Sequence, residues 1–219
     1  MAELVLIDSN MKQVFFGYFL CFLFLFWVDS LSAKSRLGEY YLGFGYSMAD
    51  GDKQLQQANG DILSIMANSP ATRSADWRLA LEYGNYDLGS GNGDETGWGL
   101  TLDYIVHYDD YVFQNGMFRP YFGIGAGYYS DGPSVGHLDD NGFNWSLMVG
   151  SEMLFTDDLS MYFGGSFYGM WSDFGDNDWK WDVGFTWWIN DIHGISIDYQ
   201  RPAEKDMNFI GLKYLYSWQ

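Results

Sequence analysis

From residue 39 onward, large apolar residues and small or polar ones take turns along the chain. Between Glu39 and Ser47, Tyr40, Leu42, Phe44 and Tyr46 share one side, while Glu39, Tyr41, Gly43, Gly45 and Ser47 share the other. A repeat of two is the signature of a strand, because successive side chains point to opposite faces. The same alternation returns at Trp77–Gly84, Gly97–Tyr108, Tyr121–Tyr129, Asn144–Phe155, Leu159–Trp171, Trp179–Ile189, Ile195–Gln200 and Ile210–Trp218. These nine strands are mostly long enough to cross a bilayer at a tilt.

The connections alternate in character. Those at 88–96, 130–142 and 172–178 are rich in Gly, Asp and Asn, whereas 156–158 and 190–194 are tighter. Long outer loops and short inner turns are the pattern of a membrane barrel, and 109–118 is somewhat long for a turn. Following strand direction, 39–47 and 76–86 run the same way, so a return strand belongs between them. Asp61–Asn68 (DILSIMAN) is the candidate, although its alternation is poor. The expected fold is therefore all-β: a closed antiparallel transmembrane β-barrel of ten strands. The alternative is eight strands, with residues 34–73 as an N-terminal extension or plug.

The polarity of the faces favours lipid over water outside. A soluble ligand-binding barrel turns its apolar face inward. Here one face is uniformly large and apolar, and the other carries Gly, Ser, Thr and charge, which suits a narrow polar lumen. Tyr40, Tyr46, Trp98, Tyr108, Trp179 and Trp187 stand near strand ends, where rings with an apolar body and a polar tip settle at the bilayer interfaces.

The N-terminus reads as an address. Val14–Val28 is a 15-residue apolar run, preceded by Lys12 and followed by Asp29-Ser30-Leu31-Ser32-Ala33. The order positive, apolar, small is that of a secretory signal peptide, and the run is short for a membrane-spanning helix. Residues 1–33 are expected to be the signal, with Met11 as a possible true start, and 34–219 the barrel domain. Cys21 is the sole cysteine and falls within the signal, so the mature chain has no disulfide.

Charge narrows the function classes. The chain has 11 basic and 29 acidic residues; removing 1–33 leaves 10 and 26. Such a balance disfavours nucleic-acid binding, which needs a basic face to displace counterions. Charges fall on the inward face at Glu39, Arg78, Glu82, Asp103, Glu152, Lys180, Asp182, Asp198 and Lys213. An unpaired charge in a narrow bore is costly, so these residues are expected to pair into a network that plugs the lumen. A selectivity filter is the sharper alternative. The loop acids Asp131, Asp139 and Asp140, and Asp173, Asp176 and Asp178, have calcium-like chemistry but no calcium-loop spacing, so no metal or cofactor is expected.

The runs Tyr40-Tyr41-Leu42-Gly43-Phe44-Gly45-Tyr46 and Arg119-Pro120-Tyr121-Phe122-Gly123-Ile124-Gly125-Ala126-Gly127-Tyr128, with the aromatic C-terminus, resemble small outer-membrane β-barrels of the OmpA-like, opacity-protein kind. The resemblance spans nearly all of 38–219, through degenerate motifs. It implies a bacterial outer-membrane location and contact with outer-membrane lipid and lipopolysaccharide. Tyr214, Tyr216 and Trp218 look like the terminal signal read by the barrel-assembly machinery, although Gln219 follows where that signal ends on the aromatic. Outer-membrane proteases of the omptin kind use Asp and His at the outer rim, and His137 lies near Asp139 and Asp140. This chain is much shorter and shows no second matching motif. Lipid A deacylases space His and Ser two apart, whereas His193 and Ser196 are three apart. The expected function is thus a non-enzymatic, monomeric barrel with a structural or surface-interaction role. The alternative is a small cation-preferring pore, and a membrane hydrolase ranks last. N-terminal sequencing of the mature protein should find Ala33 or Lys34 first; a mature chain retaining Val14–Val28 would refute cleavage.

Overall fold

The computed structural model describes residues 34–51, 59–87, 94–112, 117–130, 141–175, 177–203 and 207–218. The chain divides into residues 1–31 and a second unit, 32–219. The expected signal peptide lies outside the described residues.

Ten strands form: β1 (Tyr41–Gly51), β2 (Asn59–Thr72), β3 (Ala75–Asp87), β4 (Asp94–His107), β5 (Phe118–Ser130), β6 (Gly142–Leu154), β7 (Leu159–Met170), β8 (Asn177–Trp188), β9 (His193–Pro202) and β10 (Met207–Ser217). Each pairs antiparallel with its sequence neighbours, and β1 pairs with β10 to close the barrel. The closing seam runs in unbroken register from Tyr41↔Ser217 to Gly51↔Met207. The eight-strand alternative is excluded, because β2 is a full strand paired on both edges.

The faces follow the predicted alternation. Leu79, Leu81, Leu100, Leu102, Phe122, Ile124, Leu147, Val149, Phe185 and Ile210 are exposed on the outer wall. Residues of the opposite face, such as Ser64, Asn144, Glu152, Thr186 and Asp198, are buried within. A protein in water cannot leave such a wall bare, since exposed apolar patches beyond a few hundred Å² drive association. The wall matches the hydrocarbon of a bilayer, and closure gives every strand edge a hydrogen-bond partner where lipid offers none. Aromatics mark the strand ends in cross-strand pairs. Tyr40 meets Trp218 at 6.2 Å between ring centroids, Trp77 meets Tyr104 at 4.7 Å, and Trp98 meets Tyr128 at 5.6 Å.

The turn end carries Arg73–Ser74 and the connections 108–117, 155–158 and 189–192. The segment 34–40 also enters there. The loop end carries 52–58, 88–93, 131–141, 171–176 and 203–206, much of which lies outside the described residues.

Leu102 lies mid-strand on the outer wall, so Leu102→Arg should cost roughly 2–4 kcal/mol in a bilayer. Arginine at Thr101, which faces the lumen, escapes that lipid penalty. Urea unfolding in liposomes measures both, and a neutral Leu102→Arg would refute the assignment of the faces.

Candidate functional site: the barrel lumen

The lumen is organised in three tiers. At the turn end, residues 34–39 turn into the bore and are held on several sides. Lys34 N donates to Asp157 O at 3.0 Å, and its ammonium donates to Asp191 O and lies 4.6 Å over the Trp188 ring. Ser35 Oγ and Ser160 Oγ both donate to the buried Glu152 carboxylate, the latter at 2.8 Å. Arg36 N donates to the same carboxylate at 3.2 Å. The Arg36 guanidinium lies 4.3 Å over the Tyr162 ring and 3.7 Å from Asp198, which Lys213 also engages.

The strap then reverses at Gly38, whose φ of +79° is one that residues with a Cβ rarely adopt. Gly38 N donates to Asp76 Oδ2 at 2.8 Å, and Arg119 Nη1 donates to Leu37 O at 2.8 Å. Arg119 is fixed in turn by the β4–β5 connection, donating to Tyr108 O at 2.7 Å and Asp109 O at 3.2 Å. Loss of hydration lowers the Lys34 ammonium from its ordinary range, against the pull of Glu39 and Asp191. Burial raises the Glu39 carboxyl, opposed by Lys34 and Arg119. Burial and the nearby Glu152 carboxylate push the Tyr111 phenol up.

The strap rests on an apolar cluster of inward side chains, Tyr41, Met66, Trp188 and Leu215. A second apolar tier lies toward the loop ends: Ala49, Ile62, Tyr86 and Phe209, with Tyr168, Met170 and Tyr129. Glycines on facing strands make room for the lumen rings. A Cβ at Gly184 would collide with Tyr162, and one at Gly150 or Gly164 with the Tyr121 hydroxyl.

Between the tiers lies a cavity of about 230 Å³. Eight of the nine predicted lumen charges line it: Arg78, Glu82, Asp103, Glu152, Lys180, Asp182, Asp198 and Lys213. Glu39 does not. It sits ahead of β1, half-buried at the turn end, and its carbonyl accepts from Asn68 Nδ2 at 2.8 Å. The eight divide in two. Glu152, Asp198 and Lys213 are buried and engaged with one another or with the strap. Arg78, Glu82, Asp103, Lys180 and Asp182 are half-buried, and among the described residues none of them forms an ion pair. Among the described residues, the charge pairing expected from sequence is therefore found at one end of the bore.

Sequence reasoning missed Arg36, Ser35, Asp76 and Arg119. His107 was placed on the inward face, but not its partners. It lies buried 3.4 Å from Asp76 and 3.0 Å from Arg119 Nη2. Its Nδ1 also lies 2.8 Å from Tyr108 O, a carbonyl that can only accept. His193 faces outward and bonds the Tyr214 hydroxyl at 2.6 Å, whereas Ser196 faces inward and donates to Asp198 at 2.8 Å. They are not a pair. His137 and the loop acids Asp131, Asp139, Asp140 and Asp176 lie outside the described residues. Asp173 accepts from Gly175 N, and Asp178 from the Tyr168 hydroxyl and Trp179 N. Tyr214, Tyr216 and Trp218 stand exposed on the outer wall beside the closing seam.

A closed ten-stranded barrel with an apolar wall and a polar, strapped lumen is the architecture of an outer-membrane β-barrel. No protein-family model matches the chain, and no curated protein matches it in sequence. Among solved structures it is similar to the KdgM porin in complex with disordered oligogalacturonate, at 8% identity and a TM-score of 0.43, covering 82% of this chain and 99% of that one. It is also similar to the β domain of the Bordetella autotransporter BrkA, at 8% identity and a TM-score of 0.48, covering 82% and 98%. The N-terminal barrel of Pseudomonas aeruginosa OprF gives 16% identity and a TM-score of 0.34, covering 83% and 99%. Likenesses at this level say nothing about activity, and the class stated above rests on the strand pairing and the wall.

Asp198 receives Lys213, Arg36, Tyr162 and Ser196. Asp198→Ala leaves two buried cations without their carboxylate and should cost roughly 3–5 kcal/mol. Asp157→Ala, whose side chain lies in an exposed turn, should stay within about 0.5 kcal/mol of wild type. Urea midpoints of the two variants test the contrast, and equal midpoints would contradict it.

Proposed function

We propose that this chain is a bacterial outer-membrane barrel with a structural or surface-interaction role and a lumen closed to ion flow. The observation that supports closure is the strap. Five of its residues, Lys34 to Gly38, spend backbone or side-chain bonds on Asp157, Glu152, Asp76 and Arg119, drawn from four separate parts of the wall and its turns. A ten-strand bore is only slightly wider than the eight-strand bore that side chains alone fill, so one strap and two apolar tiers suffice to block it. The reading assigns no catalytic role. Its partners are outer-membrane lipid and lipopolysaccharide around the wall, and the barrel-assembly machinery at the aromatic C-terminal strand. The protein acts as a monomer.

One observation favours a small cation-preferring pore instead. Acids outnumber bases among the half-buried lumen charges, and a wet, negatively lined bore selects cations. Planar-bilayer recording separates the two. The mature wild type should show no steady conductance. A variant lacking residues 34–39, checked for folding by its faster migration before boiling, should show a cation-preferring leak. A large, stable wild-type conductance would overturn the closed-lumen reading.

A further inference from the structure

The middle of the bore contains charges that the strap does not use. Arg78, Glu82 and Asp103 stand on β3 and β4, with Arg78 and Asp103 directly opposed in the ladder. Lys180 and Asp182 stand on β8. In a closed ring of ten, β3 and β8 are five strands apart in either direction, so the two groups face each other across the bore. Each wall thus offers both signs of charge to one cavity. None of the five reaches an ion-pair partner among the described residues, and Arg78 Nε has no hydrogen-bond partner. The distance between the two walls is fixed by the strand number, which sets the width of the bore.

Two cations and three acids facing one chamber leave a net charge of minus one. A simple metal cation would meet the acids but be repelled by Arg78 and Lys180. An anion would do the reverse. A solute with one carboxylate and two cationic groups satisfies both signs and cancels the net charge. The aromatic tier adds to this: Tyr129, Tyr168 and Phe209 border the same cavity, and ring faces attract an ammonium or guanidinium. Arg36 and Tyr162 of the strapped end form the floor.

We propose that this chamber is a binding pocket for a basic amino acid or a solute of the same charge pattern. Its carboxylate is held by Arg78 and Lys180, and its cationic groups by Glu82, Asp103 and Asp182 beneath the aromatic tier. The pocket shares its floor with the closed-lumen reading but does not require the bore to be impermeable.

The test is titration calorimetry on the full mature chain refolded in detergent, with free lysine, spermidine and glutamate as probes. Lysine should bind saturably and more tightly than the other two. Spermidine has the ammoniums without the carboxylate, and glutamate has the wrong net charge. Arg78→Gln and Asp182→Asn should each weaken lysine at least roughly tenfold. Both variants must first show the fast-migrating folded band. Should one fail to fold, Lys180→Gln and Glu82→Gln carry the same expectation. Three results would overturn the pocket: no saturable lysine binding, spermidine bound as tightly as lysine, or lysine affinity unchanged in the folded variants. Conductance recorded on the same preparation keeps the two readings apart. A steady pore with saturable lysine binding overturns closure alone, and a silent barrel without lysine binding overturns the pocket alone.

Discussion

Inside a bilayer, a peptide N–H or C=O that finds no protein partner finds none at all. For this chain that constraint falls hardest on β1 and β10, the two strands with no sequence neighbour on one side. Their pairing from Tyr41↔Ser217 to Gly51↔Met207 removes both edges at once. Once the ring is closed, its circumference is set, and so is the space inside. The inward glycines at 150, 164 and 184 follow from that limit, since the rings of Tyr121 and Tyr162 already fill the volume a Cβ would need.

The outer wall was legible because lipid asks the same of every position: large and apolar at each second residue. Nine strands could be read from that demand. β2 was obscure because Ile62 and Met66 point inward, into the clusters around Tyr86 and Trp188, which blurs the contrast between its faces. Trp188 is hidden for the same reason. It sits next to the wall aromatic Trp187, and alternation puts it on the inward face, where it is 1% exposed beneath Lys34. The inward charges were legible as a set but not as pairs. Asp198 and Lys213 are diagonal neighbours on adjacent strands, and register could have suggested them. Arg36 meets Asp198 only because the chain is bent back into the bore, and nothing in a two-residue repeat encodes that bend. The strap itself leaves almost no trace in sequence, because half of its bonds are made by backbone groups. Gly38 is its one local mark.

The lumen is therefore two environments in series. At the turn end, Glu152, Asp198, Asp76 and His107 are buried, and each sits in a cage of donors or counter-charges, as burial of a charge requires. Farther along, Arg78, Glu82, Asp103, Lys180 and Asp182 retain partial exposure and form no ion pair among the described residues. The excess of acid in the chain does not spread evenly through the bore. It is neutralised where the strap delivers Arg36, and left exposed to the cavity above it.

The strap also sets an order of events. Lys34 to Gly38 depend on Asp76 at the start of β3, Arg119 on β5, Glu152 on β6, and the turns at Asp157 and Asp191. The full set of partners exists around one bore only when the strands from β3 to β9 are present. The residues that lead the barrel domain in sequence thus complete their bonds after the strands that follow them. The segment made first is thus among the last for which every partner exists, so its six residues depend on a wall that has yet to be built when they are made.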